Sequence, residues 1–545
     1  MNVERYILIS IIAKSITGSP YKDIEIDGWQ AKVINYTYFS TTGTQIGRMK
    51  SIQLQRGQPI PDELMADIMS DNVIKLTFGA YDRIYFSKLA DYPGHNYPNC
   101  RSWIDIQIIA RLNGFSADTV TQLAKTLGAY ESNRFSMLIK CVKRLTASGC
   151  INLTQLAGYF ATQKINDQGV AINTAILRVC VALVDNYNKA IHDFEVTTKY
   201  PVNNKSIVQD FCEKYGINQT DEIYTLLDNS SELSDLEVDL IYILKFINSK
   251  TVQLVKKIAN CICSDGNLRG IINYYQNPET GFCGHIELFN RKYKFTTANP
   301  EELIHVLHSN DHIEISQSQM LVKRLKALLP LLLSFNHKKK IIDLSKATEF
   351  TIAKITGCDW RIDAYKNGNL EVVLRKKWPS VNLPHVDVRK LDTQFAIGNY
   401  HTQLDELQVN EWKECNKDII ITRGNLIYAA HRALKEKKQI CFQGIILDQI
   451  DNDLLICLPT GRIIRIPVDY NKMEIKIIET GKRLTGSFLF GLICQCLQRD
   501  MLMHVVVDLA AQGYNIAYYT HDQIIIDDDK PLLPKMMCSP YVTIK

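Results

Sequence analysis

The stretch that most constrains the fold lies near the end of the chain. Ser487–Gln512 is a long apolar-rich run without proline and reads as one helix. Gly513 ends it. Two apolar strands follow, Tyr514–Tyr519 and Ile524–Asp527, joined by the turn Thr520-His521-Asp522-Gln523. A helix feeding a rigid hairpin holds the Asp522 carboxylate at a solvent-reachable tip. A second carboxylate closes another apolar strand. Lys339–Asp343 reads as a strand in which Ile341 and Ile342 run into Asp343, Leu344 and Ser345. These aspartates are 179 positions apart (522 − 343). On one sheet edge they would suit two divalent ions, which clamp the attacking and leaving oxygens of a phosphoryl displacement when about 3.5–4 Å apart. Aspartate is also favoured in turns for backbone reasons alone, so the pair by itself leaves a purely structural reading open.

The rest of the chain narrows the choice. Its 545 residues suggest three or four domains. With 46% apolar and 22% charged residues, the chain is not a disordered segment, a collagen or a coiled coil. A net charge of +5 (63 − 58) is too weak to argue for nucleic acid by itself. Fifteen scattered cysteines without a CxxC argue against a disulfide scaffold or zinc ribbon and suit a reducing cytosol. The longest strongly apolar run, Leu325–Phe335, is 11 residues long and interrupted by Lys326 and Pro330, whereas a bilayer needs about 20. No membrane association is therefore expected. Tyr6–Ala13 reads as a buried strand rather than a signal peptide. The commonest nucleotide and zinc motifs are absent.

Three regions emerge. The first 148 residues are mixed α/β, with strands over Tyr6–Ala13, Ala31–Ser40 and Val73–Phe78, a helix over Pro61–Met69, and a helical start at Asp105–Asn113. Residues 149–275 are helical, with apolar stripes over Ala171–Ala190 and Ser234–Asn260. Residues 276–545 are mixed again, and Gln439–Pro467 alternates like two or three strands about a turn at Thr460-Gly461.

Gly486–Asp527 resembles the final palm segment of phage and prophage family A DNA polymerases. There a helix with Gln and Arg-Asp precedes a strand–turn–strand carrying His-Asp-Glu. Gln495, Arg499, Asp500, His521 and Asp522 match, and Gln523 replaces the Glu. Ile341–Asn369 is similar to the first metal motif of the palm. Asp265–Asn290 is similar to the segment with Asp-Gly-Arg, Tyr-Tyr-Gly, Thr-Gly-Arg and Gln-Asn. Lys164–Asn173 resembles a thumb motif, and two stretches within the first 116 residues resemble the family's 3′–5′ exonuclease domain. The matches fall in family order along nearly the whole chain.

The resemblance implies a multidomain α/β right-hand polymerase. Residues 1–148 would be a degenerate exonuclease-like domain of RNase H-like type, 149–275 a helical thumb, and 276–545 palm and fingers. It implies template-directed addition of dNTPs to a primer 3′ end, with two Mg²⁺ ions held by Asp343 and Asp522. Ser345 would line the nucleotide site, His521 would approach the primer terminus, and Arg389 and Lys390 would hold the triphosphate. Gln495, Arg499, Asn290 and Arg269 would contact DNA. Partners would be primer–template DNA, dNTPs and other replication proteins. The setting would be the cytoplasm of a bacterial host, with a phage or prophage gene. Arg291, Lys292, Lys294, Lys323, Arg324, Lys326 and Lys338–Lys340 add a basic stretch suited to phosphate contacts, though a charge run is usually a solvated face.

Departures from the family pattern qualify these expectations. Ile12 and Lys14 stand where the exonuclease has Asp-x-Glu after its first strand. Asp82 stands at a family Glu position, Asp105 carries no assigned role, and the last exonuclease Asp segment is missing. No proofreading is expected, because two-metal hydrolysis needs several clustered carboxylates; this also argues against a nuclease acting through the first domain. In the palm, Thr348 occupies the Glu position, with Glu349 one step off, and Phe350 and Phe282 replace arginines. In the fingers, Arg389, Lys390, Phe395 and Tyr400 are out of the family register. The alternative is thus a catalytically weak or inactive polymerase-like subunit that binds DNA.

Overall fold

The structure is a computed structural model. It describes residues 5–15, 17, 19–26, 29–53, 60–79, 81–89, 96–147, 153–217, 220–228, 233–277, 280, 282–285, 314–333, 339–344, 346–381, 387–398, 404–471, 474–531 and 543–544.

The first domain is built on a five-stranded sheet of β1 (Arg5–Ser15), β2 (Trp29–Phe39), β3 (Gln45–Gln53), β4 (Val73–Thr77) and β5 (Trp103–Asp105), in the order β3-β2-β1-β4-β5. The pairs β3–β2 and β2–β1 are antiparallel, whereas β1–β4 and β4–β5 are parallel. Strand β1 is central because its side chains feed two cores. Tyr6 and Leu8 pack with Leu76 and Ile104, while Ile7, Ile9 and Ile11 pack with Leu64 and Phe86. Each fully buried Ile or Leu contributes about 1.5–3 kcal/mol.

The helical region follows. Helix Ala157–Gln168 leads into Thr174–Thr198, whose first turn is capped by the Asn173 side chain accepting from the Ile176 N–H at 3.2 Å. The stripe expected over Ser234–Asn260 forms two helices, Asp235–Ile247 and Lys250–Cys261. A Ser234/Glu237 capping box starts the first, and Asn248 and Ser249 break the run. Helix Ser318–Leu328, later in the chain, packs back against these helices.

A second sheet has four strands, ordered Ile516–Tyr519, Gln523–Asp527, Lys339–Asp343 and Thr543–Ile544. Helix Gly486–Ala511 lies behind it, and Leu502, Val506 and Leu509 pack in the same core as Ile342 and Ile524–Ile526. That core is continuous with Leu8 and Leu76 of the first domain.

A group of helices between Ala347 and Glu436 is followed by a meander of Ile440–Phe442, Ile445–Ile450, Asp453–Cys457, Ile463–Asn471 and Glu474–Ile477. Sequence patterning anticipated only two or three of these strands. Trp378, Phe395, Trp412 and Phe490 fill their core. Gly491 lets helix Gly486–Ala511 approach this helical group closely: a Cβ there would lie 2.6 Å from the Ile397 carbonyl oxygen. No helix among the described residues is long and apolar enough to cross a membrane.

Candidate active site

Register brings the two aspartates together. Strands Lys339–Asp343 and Gln523–Asp527 pair antiparallel, with Asp343 opposite Gln523. One step further, the Leu344 N–H donates to the Asp522 carbonyl at 2.7 Å. Asp343 and Asp522 therefore sit at adjoining ends of neighbouring strands, 5% and 4% exposed. A tight turn holds the second of them. The Thr520 N–H donates to the Gln523 carbonyl at 2.8 Å, and the Thr520 hydroxyl lies 3.2 Å from Asp522 Oδ1. His521 is half-exposed, with Nε2 3.4 Å from Asp522 Oδ2, and its ring meets Phe282 edge-on at 6.3 Å.

The donor set fits magnesium, a hard cation usually held by one or two carboxylates plus substrate phosphates rather than by an all-protein cage. No three His, Cys, Asp or Glu side chains gather around a common point among the described residues. Ser345 and Asn290 lie outside the described residues.

The other expected site residues are placed differently from one another. Lys390 is exposed on helix Val388–Ala396, next to the capping Asp387. Arg389 is engaged by Glu349 through three bonds of 2.6–2.9 Å. Burial raises the Glu349 pKa, and the Arg389 guanidinium opposes that rise. The glutamate one step out of family register thus ties helix Ala347–Thr356 to helix Val388–Ala396. Thr348, at the family Glu position, bonds Gln498 at 2.5 Å.

Gln495 is half-buried on helix Gly486–Ala511. Arg499 on the same helix is buried, 4.9 and 5.0 Å from the Tyr274 and Tyr275 ring centres, and 3.2 Å from Asp500. Arg269 is also buried, forked onto Asp265 at 2.9 and 2.6 Å and donating to the Asp167 carbonyl. Both arginines are thus engaged with protein groups.

Sequence reading missed Arg462, which follows the Thr460-Gly461 turn and approaches Asp500 at 3.4 Å. It also missed the pair Arg361–Asp392, bonded at 2.9 and 2.7 Å with both residues 1% exposed. The available signal was an arginine among residues that must pack.

In the first domain, Ile12 is 47% exposed on β1, and the Lys14 side chain lies outside the described residues. Asp105 caps helix Ile106–Leu112, accepting from the Gly79 and Gln107 N–H groups at 3.0 and 2.8 Å. Burial pushes its pKa up to about 6. Burial pushes Asp82 up to about 8, with the Asp105 charge adding to the rise.

The structure aligns with the POL domain of Pol1 from M. smegmatis, solved in complex with DNA primer-template and dNTP, at a TM-score of 0.57 and 13% identity over 96% of this chain and 90% of that one. In sequence, the chain is 24% identical over 429 residues to the DNA polymerase of Bacillus phage SP02, covering 67% of this chain and 63% of that protein's length. No family model matches the chain. Both likenesses agree with the resemblance read from the motifs.

Proposed function

We propose that the chain is a template-directed DNA polymerase adding dNTPs to a primer 3′ end, without proofreading. The observation that carries this reading is the placement of Asp343 and Asp522 at adjoining strand ends of the four-stranded sheet. The two carboxylates would hold magnesium. When bound, the metal lowers the pKa of the attacking hydroxyl and offsets charge on the triphosphate. The tight Thr520–Gln523 turn fixes the Asp522 carboxylate before substrate arrives, so little reorganisation is needed at reaction. His521 offers a half-exposed donor beside it. Lys390 is an exposed cation of this helical region suited to the triphosphate.

DNA as partner is supported by a cleft of about 420 Å³ in the helical region, lined by Lys245, Lys250, Lys323 and Lys326. Such lysines suit phosphate contacts. Exposed Ile12, helix-capping Asp105 and the raised pKa of Asp82 support a first domain without nuclease chemistry.

The engagement of Arg389 by Glu349 favours a second reading, a subunit that binds DNA with little or no catalysis. Primer extension separates the two. Extension by the native chain, abolished in both Asp343→Asn and Asp522→Asn, supports the polymerase. Tight primer–template binding without extension under any divalent metal supports the second reading.

A further inference from the structure

We propose a second ligand site, for a nucleoside monophosphate, in the cavity between the start of helix Ala157–Gln168, the Thr460–Arg462 turn and helix Gly486–Ala511. The cavity holds about 530 Å³, and neither Asp343 nor Asp522 lines it. Pockets of about 300–1,000 Å³ are the usual size for small-molecule ligands. One wall is cationic. Arg462 and Arg499, 5% and 4% exposed, converge on the single carboxylate of Asp500 at 3.4 and 3.2 Å. The other Asp500 oxygen accepts from the Thr460 hydroxyl at 2.6 Å.

Aromatic rings hold both guanidiniums in place. Arg462 lies 4.9 Å from the Tyr275 ring centre, and Arg499 sits by Tyr274 and Tyr275. Ring contacts orient a cation without cancelling its formal charge. Both guanidiniums line the cavity, and a planar guanidinium matches phosphate oxygens in pairs.

The remaining lining includes the apolar Leu112, Met503 and Val507. An apolar surface with a pliable methionine suits the flat face of a base. Charge on one side and apolar surface on the other select a phosphate attached to an apolar body over a bare phosphate.

The test is calorimetric titration of the full chain, without divalent metal, with dAMP, deoxyadenosine and inorganic phosphate. The chains compared are native, Ala157→Phe, Arg462→Lys and Asp343→Asn. Ala157 lines the cavity and is half-exposed, so the phenyl ring narrows the space without disturbing buried charge; thermal melting checks that Arg462→Lys stays folded. Saturable binding of one dAMP per chain is expected, with deoxyadenosine and phosphate each at least about tenfold weaker. Ala157→Phe and Arg462→Lys should each weaken dAMP by about tenfold or more, and Asp343→Asn should leave it unchanged. The proposal is overturned by absence of saturable dAMP binding to the native chain, by phosphate binding as tightly as dAMP, or by dAMP affinity untouched in Ala157→Phe. Loss of binding in Asp343→Asn would also overturn it, placing the nucleotide beside Asp343. None of these outcomes depends on primer extension.

Discussion

Replacing Asp167 by asparagine should loosen the first domain from the rest of the chain. Asp167, at the end of helix Ala157–Gln168, receives the Arg83 guanidinium in a fork, Nη2 to Oδ1 at 2.5 Å and Nη1 to Oδ2 at 3.0 Å. The Tyr21 hydroxyl donates to the same Oδ1 at 2.8 Å. Arg83 is 2% exposed and keeps its charge at any practical pH, so the variant leaves a buried cation facing a neutral amide. Breaking a buried pair in this way costs about 3–5 kcal/mol. The asparagine oxygen still accepts one or two of these bonds, which places the expected loss near the lower end, at about 3 kcal/mol. Hydrogen–deuterium exchange of peptides spanning β1 and β4 reads the opening of this sheet directly. At about 1.4 kcal/mol per decade, protection there should fall about a hundredfold. The double variant Arg83→Met, Asp167→Leu should recover most of it, because it removes both charges together. Unchanged protection in Asp167→Asn would refute the reasoning, and so would a double variant no better than the single one.

Other outcomes follow from the same geometry. Folded Asp82 keeps its proton up to about pH 8, whereas the unfolded chain releases it near the ordinary 3.8, so the folded state holds the extra proton in between and stability falls as pH rises through that window. Asp82→Asn should therefore be more stable than the native chain by up to about 5 kcal/mol at pH 8, about 1.4 kcal/mol for each pH unit of the window, and within about 1 kcal/mol of it at pH 4, as read by urea denaturation; equal stability at both pH values contradicts the burial argument. Lys390→Ala should raise the dNTP KM about tenfold with an unchanged melting temperature, whereas Arg389→Met should strand Glu349 and lose about 1.5–3 kcal/mol of stability; a KM indifferent to Lys390 removes it from the triphosphate site. Gly491→Ala should destabilise by about 1–3 kcal/mol in urea unfolding, since its Cβ would crowd the Ile397 carbonyl, and a neutral result would mean that the helices part freely.

The elements that carry Asp343 and Asp522 were legible in the sequence because they depend on short-range patterning. The strand Lys339–Asp343 has the expected bounds, and the long helix runs Gly486–Ala511 against the expected Ser487–Gln512. The hairpin's first strand starts later than expected, at Ile516, because Asn515 turns to hydrogen bonds with Asp527 and Asp528. Strand β3 escaped notice because most of it is exposed on a sheet edge and lacks an alternating apolar face. The break at Asn248 and Ser249 was hidden because the apolar spacing continues on both sides of it.

Side-chain partners were less legible than elements. Glu349 meets Arg389 across forty positions and two elements, a pairing that local spacing does not encode. Arg499 looked available for DNA, but its helix is apolar on every side, so a cation at that position packs on Tyr274 and Tyr275. Arg269 was closer to hand, since Asp265 lies four residues before it.

Manganese binding, read by electron paramagnetic resonance on the chain with primer–template and dNTP, probes the shared carboxylate site most directly. Native protein should bind Mn²⁺ saturably, and Asp343→Asn and Asp522→Asn should each weaken that binding sharply. Equal Mn²⁺ affinity in all three proteins would contradict the claim that these carboxylates form one metal site.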